Sequence, residues 1–198
     1  SGARSTGEWL TYLLERDDNA FSRAAAGGAR ISDTMKKQVE KELATFKLLS
    51  RVAPEAFAVG FDFLPQFEAG GFSLTYEKLL SFYLANGCGA LAHGEAFAFT
   101  EKGFGEIQVA PVSLSDIKNY AEEKAELVKN TENFVNGLPS FHALLYGDCG
   151  TGKSTTVRAV AARFKDKLKT VELDSRRLDL LRELLARLSE DRQKFIVL

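Results

Sequence analysis

Apolar residues recur at helical spacing through most of the first hundred positions, then give way to alternating strand and helix signals after about residue 110. Ser5-x-x-Glu8 has the capping-box spacing and is followed by Trp9, Tyr12 and Leu13 on one face, which predicts a first helix. The Gly pair in Ala24–Arg30 (AAAGGAR) is expected to break it. A second helix is expected from Asp33 to about Val52, just before Pro54, with Leu43, Phe46 and Leu49 at steps of three. A third fits 75–85, where Tyr76, Leu79, Leu80, Tyr83 and Leu84 follow the amphipathic rule. Asn86–Gly89 reads as a turn. Strands over 90–100 and 106–110 flank EKGFG and predict a β-hairpin. Eleven Phe or Tyr residues lie between Phe57 and Phe104, and they form either an aromatic core or a protein-binding face.

From Pro111 the pattern changes. Ser113-x-x-Asp116 opens a helix with Ile117, Tyr120, Ala121, Leu127 and Val128 on one face, stopped by Asn136-Gly137-Leu138-Pro139. Phe141–Tyr146 (FHALLY) is a short apolar strand. A helix with Val157, Val160, Ala161 and Phe164 inward comes next, then the alternating strand Lys169–Asp174 (KTVELD). Ser175–Leu188 reads as a helix with Leu178, Leu181, Leu185 and Leu188 inward, and Lys194–Leu198 (KFIVL) as a buried strand. Alternating strands and helices mean a parallel α/β layer. The expected fold is α/β: a parallel sheet with flanking helices over 111–198. A mainly helical, aromatic-rich N-terminal domain with a small β-hairpin precedes it over 1–110.

Between the FHALLY strand and the next helix stands Gly147-Asp148-Cys149-Gly150-Thr151-Gly152-Lys153-Ser154, which fits G-x-x-x-x-G-K-[ST]. Glycines let such a loop take backbone angles closed to other residues and let phosphate approach closely. Successive N–H groups then form an anion-binding nest, and the following helix adds its positive dipole end. Lys153 is expected to reach the β- and γ-phosphates of ATP and to serve as the catalytic cation. The Ser154 hydroxyl is expected to ligate Mg²⁺, with Thr155 near the α-phosphate. Cys149 and Thr151 fill variable positions, and Cys149 is not expected to act as a nucleophile. Glu8, Asp33, Glu77, Asp116 and Asp174 put a carboxylate in or beside the first turn of most other expected helices. The helix after the loop opens with a cation instead, and no Asp or Glu occurs from Cys149 to Lys165.

At these residues the chain resembles AAA+-type ATPases and, more narrowly, the bacterial domain-of-unknown-function family 815. The resemblance runs from about Leu114 to Leu198, and NTENFVNG just ahead of the loop is its more specific part. It implies that 111–198 is an incomplete P-loop NTPase parallel sheet with flanking helices, part of a three-layer ATPase core of strand order 5-1-4-3-2 whose opening helix packs near the adenine, with Ile117 and Tyr120 lining the base pocket. Members often have Gly where this chain has Asn119, a residue that tolerates left-handed backbone better than most. In such ATPases the strand matching KFIVL leads into the Walker B acids, with sensor residues and an arginine finger further on. The natural protein is therefore expected to continue well past Leu198, leaving FHALLY here without either partner strand.

Composition adds exclusions. A formal net charge of -1 argues against nucleic-acid binding over the whole chain. No apolar run approaches the roughly 20 residues of a membrane helix. Cys88 and Cys149 fit reduced thiols in a cytoplasmic protein, and His93 and His142 have no neighbours at metal-ligand spacing. The basic run Arg163–Lys169 with Arg176 and Arg177 is either a solvated surface or a contact for an acidic partner. Asp174 either caps the following helix or lines a ligand site at its strand's carboxyl end. The leading function is Mg–ATP binding and hydrolysis in the full-length, oligomeric protein. A nucleotide-binding switch or scaffold, a kinase using the same loop, and a protein-interaction module in 1–110 are the alternatives.

Overall fold

The computed structural model describes residues 3–52, 68–110 and 112–198. The chain divides into two units, Ser1–His93 with Ser189–Arg192, and Gly94–Leu188 with Gln193–Leu198.

The first unit is helical. In α1 (Thr6–Glu15) the Ser5 hydroxyl accepts from the Glu8 N–H at 3.2 Å, and the Glu8 carboxylate accepts from the Arg4 N–H at 2.7 Å. Leu10 is buried and Leu14 packs on the core, whereas Trp9 and Leu13, expected inward, are 39% and 43% exposed. The buried pair sits one position further along, about 100° around the helix. The chain breaks at Asp17–Asn19, earlier than the Gly pair, because Asn19 and Ser22 cap each other and start a separate α2 (Ala20–Ala26). α3 (Asp33–Leu49) and α4 (Tyr76–Asn86) begin at Ser32 and Thr75, whose hydroxyls accept from the backbone three residues on. Phe21, Val39, Leu43, Tyr76, Leu79 and Tyr83 form the core, and the Tyr83 hydroxyl donates to the Leu14 carbonyl.

The second unit is built on a four-stranded sheet of order β2-β1-β3-β4. β1 (Ala96–Thr100) and β2 (Gly103–Glu106) form an antiparallel hairpin across a two-residue turn. β3 (Lys169–Leu173) runs parallel to β1, pairing Phe97 with Val171, and β4 (Phe195–Val197) runs parallel to β3, pairing Thr170 with Ile196. The hairpin, expected in the N-terminal domain, thus extends the parallel sheet. The division between the units falls at His93/Gly94, ahead of the change in pattern near residue 111. Pairing between β1 and β3 spans about seventy residues, so no local signal marks it. Phe97 and Phe99 lie in the core of this unit and Phe72, Tyr76 and Tyr83 in that of the first, so these aromatics serve as cores. Residues 57, 61, 63 and 67 lie outside the described residues.

Three further expectations change. The helix expected from Ser113 is a 3-10 turn, Leu114–Asp116, followed by α5 (Ala121–Val135). Ser175–Leu180 is 3-10 with a kink at Arg177 (φ -121°, ψ 38°), and only then does α7 (Leu181–Ser189) begin. Leu188, expected inward, is buried together with Leu184, whereas Leu178 and Leu185, also expected inward, are 63% and 51% exposed. Finally, Phe141–Tyr146 is not a strand: it pairs with none among the described residues, and Phe141, Leu144 and Tyr146 are 82–90% exposed. The β-conformation is stabilised by ladder partners, and this segment has none.

Candidate nucleotide site

The segment that enters the glycine loop is held from one side. Asn130 of α5 donates its amide to the Phe141 carbonyl at 2.8 Å and accepts from the Phe141 N–H at 2.9 Å. One side chain thus satisfies both backbone groups, as a neighbouring strand would. α5 is held in turn by Lys194 next to β4, whose ammonium donates to the Phe134 and Val135 carbonyls at 3.0 and 2.8 Å. Val135, Ala161 and Leu168 close the small core between α5, the helix α6 (Lys153–Arg163) and the sheet.

In the loop itself Gly147, Gly150 and Gly152 take φ of 138°, 82° and 83°, where a side chain is strained. A Cβ at Gly150 or Gly152 would meet nothing within 4 Å, so both open on clear space. Asp148, Cys149 and Gly150 form the exposed tip. The Thr151 hydroxyl donates to the Asp148 carbonyl at 2.9 Å and braces it. The Lys153 ammonium donates to the Gly147 and Asp148 carbonyls at 2.9 and 2.6 Å, with the Thr151 hydroxyl at 3.4 Å. No carboxylate pairs with it among the described residues.

α6 follows directly, with Gly152 as its N-cap and no side chain capping it. α1, α3, α4, α5 and α7 each carry an acid in the first turn, and α6 has none; among the α-helices it shares that lack with the seven-residue α2. The positive end of α6 is therefore uncompensated. Thr156 Oγ1 bonds back to the Gly152 carbonyl at 3.0 Å. The hydroxyls of Ser154 and Thr155, at the expected Mg²⁺ and α-phosphate positions, make no hydrogen bond among the described residues. The glycine cradle, the ammonium and these hydroxyls fit a Mg²⁺-bound phosphate chain.

The expected base-binding segment follows the 3-10 turn Leu114–Asp116, which packs against α6. Ile117 is half-buried and Tyr120 is 50% exposed. Asn119 (φ 70°) and Tyr120 (φ 57°) are both left-handed, which turns the chain into α5 and replaces the continuous helix. Tyrosine in that region costs about 1–2 kcal/mol. Lys124, which sequence reasoning missed, donates to the Ile117 carbonyl at 2.6 Å and offsets much of this. A bond from a charged donor contributes about 1.5 kcal/mol even at the weak end.

Around the rim Asp174 caps its 3-10 helix, accepting from the Arg176 N–H at 2.9 Å. The Arg176 guanidinium beside it lowers its pKa to about 2. Arg177 pairs with Glu101 and Asp179, and Lys165 with Glu95, so much of the basic run is neutralised within the unit. Among the described residues no group of His, Cys, Asp and Glu could hold a metal alone.

A family model described as "protein of unknown function (DUF815)" matches residues 93–198, more than half of the chain. The chain belongs to the DUF815 family. Its match begins at the division between the two units and takes in the hairpin, α5, the glycine loop and both parallel strands. The chain is also similar to the replication factor C large subunit of Sulfurisphaera tokodaii, 35% identical over 85 residues, and to that of Sulfolobus acidocaldarius, 38% identical over 85 residues. Each similarity covers 42% of this chain. It spans only about a fifth of these relatives' length, 19% and 20%. No solved structure matches. Among the described residues no helix is long and apolar enough to cross a membrane.

Proposed function

We propose that this chain carries the nucleotide-gripping part of an AAA+-type ATPase, binding Mg–ATP on residues 147–155. The observation that carries the reading is the pairing of Lys153 with an unbalanced helix end. An ammonium and a helix N-terminus repel each other, and among the described residues no acid compensates either. Among the described residues, carbonyl and hydroxyl oxygens alone hold the ammonium, so it can turn to an arriving phosphate at the cost of hydrogen bonds. The positive-φ glycines keep the loop open to an anion, with clear space at Gly150 and Gly152.

In this reading Gly147, Asp148, Cys149, Gly150, Thr151 and Gly152 wrap the β-phosphate with backbone. Lys153 bridges the β- and γ-phosphates, Ser154 ligates Mg²⁺, and Thr155 faces the α-phosphate. Ile117 and Tyr120 border the base. Bound Mg²⁺ would neutralise charge on the phosphate oxygens. Hydrolysis in this proposal also needs acids that hold Mg²⁺ and orient water, in addition to the residues of the loop. Membership in the DUF815 family and the similarity to replication factor C large subunits support the AAA+ reading.

The test is calorimetric titration of Mg–ATP into the chain and into Lys153→Ala. The ammonium is expected to contribute at least about tenfold in affinity, since charged hydrogen bonds contribute about 1.5–3 kcal/mol. Equal affinities in the two proteins would show that the loop does not hold the phosphates.

A further inference from the structure

Residues 117–120 form neither helix nor strand; they link the 3-10 turn that packs against α6 to the start of α5. The segment ends in two successive left-handed residues, Asn119 and Tyr120, and neither is glycine. Two such residues in a row do not hold their shape on backbone preference alone. The Ser113–Asp116 capping box fixes the segment at its start, with Asp116 accepting from the Ser113 N–H at 3.0 Å. At its far side the half-buried Lys124, one turn into α5, reaches back seven residues to the Ile117 carbonyl at 2.6 Å. This bond closes residues 117–124 into a ring that includes both left-handed residues.

From this closed ring we infer that Lys124 is a positioning residue for the nucleobase. It acts through the Ile117 carbonyl to hold the 117–120 segment in the shape that meets the base, and touches no phosphate itself. The inference rests on the proposed nucleotide site but makes a separate demand. Lys153 and the glycine loop act on the phosphate chain whatever is attached to it. Lys124 acts only on the part of the ligand beyond the phosphates.

Two probes separate these roles: ATP, and inorganic tripolyphosphate, which has the phosphate chain without base or ribose. Each is titrated with Mg²⁺ into the 198-residue chain, Lys124→Met, Lys124→Arg and Lys153→Ala, with circular dichroism confirming that every variant is folded. Methionine keeps the length of the lysine stem and removes the donor. Lys124→Met is expected to weaken ATP about fivefold to tenfold and leave tripolyphosphate unchanged, and Lys124→Arg to restore most of the ATP affinity. Lys153→Ala is expected to weaken both. An unchanged ratio of ATP to tripolyphosphate affinity in Lys124→Met, or equal loss of both ligands, overturns the inference while leaving the phosphate site standing. A parent chain that binds neither probe overturns the proposed site itself.

Discussion

Replacing Gly152 by alanine separates what the glycine does for folding from what it does for the ligand. Gly152 has φ 83°, and a Cβ there would touch nothing within 4 Å. The folding cost is therefore backbone strain alone, about 1–2 kcal/mol. Gly137 is the matched control: φ 72°, equally open, and placed where α5 ends, with the Gly137 and Leu138 N–H groups closing its last turn. For a chain of this size about 1 kcal/mol shifts the melting temperature by roughly 2–4 °C. Gly152→Ala and Gly137→Ala should each melt roughly 2–8 °C below the parent. ATP at a hundred times its dissociation constant adds about 2.7 kcal/mol of stability, roughly 5–10 °C by the same conversion. The parent and Gly137→Ala should show that gain. Gly152→Ala should lose most of it, because its methyl group stands where the loop faces phosphate. Thermal melts with and without Mg–ATP read both effects. An ATP-induced rise of the same size in both variants would refute the reasoning.

Two further outcomes follow from side-chain contacts. Asn130→Ala removes both bonds that hold Phe141, each contributing about 0.5–1.5 kcal/mol, so hydrogen exchange at the Phe141 amide should speed up by about fivefold or more while amides of β3 keep their protection. Asp174 should titrate near 2 by carbon-detected NMR, its pKa held down first by the side-chain bond from Arg176, and Arg176→Ala should return it toward the ordinary value of about 3.9. Because the folded-state pKa is the lower one, whatever stability this pair gives is present above about pH 4 and is lost as the pH falls toward 2.

The glycine loop was legible in the sequence because everything it needs is local: glycines where φ is positive, then a cation at a helix start. The left-handed Asn119 was legible through the resemblance, whose members often carry Gly at that position. The caps at Ser5, Ser32 and Thr75 depend on three-residue spacings. The hairpin was visible as two short strands, but its place beside β3 was not, since partner choice across seventy residues leaves no trace in local alternation. Leu178 was misplaced because it lies in the 3-10 segment beside the kink at Arg177, outside the α7 helix, and Leu185 because its neighbour Leu184 takes the buried position. Phe141–Tyr146 has a strand's composition, yet composition does not supply a ladder. Lys124 and Asn130 were missed because each ties a side chain to backbone seven or eleven residues away, a contact without periodicity. Asn130 lay within the NTENFVNG segment that marked the resemblance, which was the one available signal.

Whether the loop holds a triphosphate is tested most directly by following backbone amide resonances during a Mg–ATP titration. The expected result is saturable shifts concentrated at residues 147–155, with smaller ones at 117–120. Shifts scattered elsewhere, or none at millimolar ATP, would contradict a nucleotide site at Lys153.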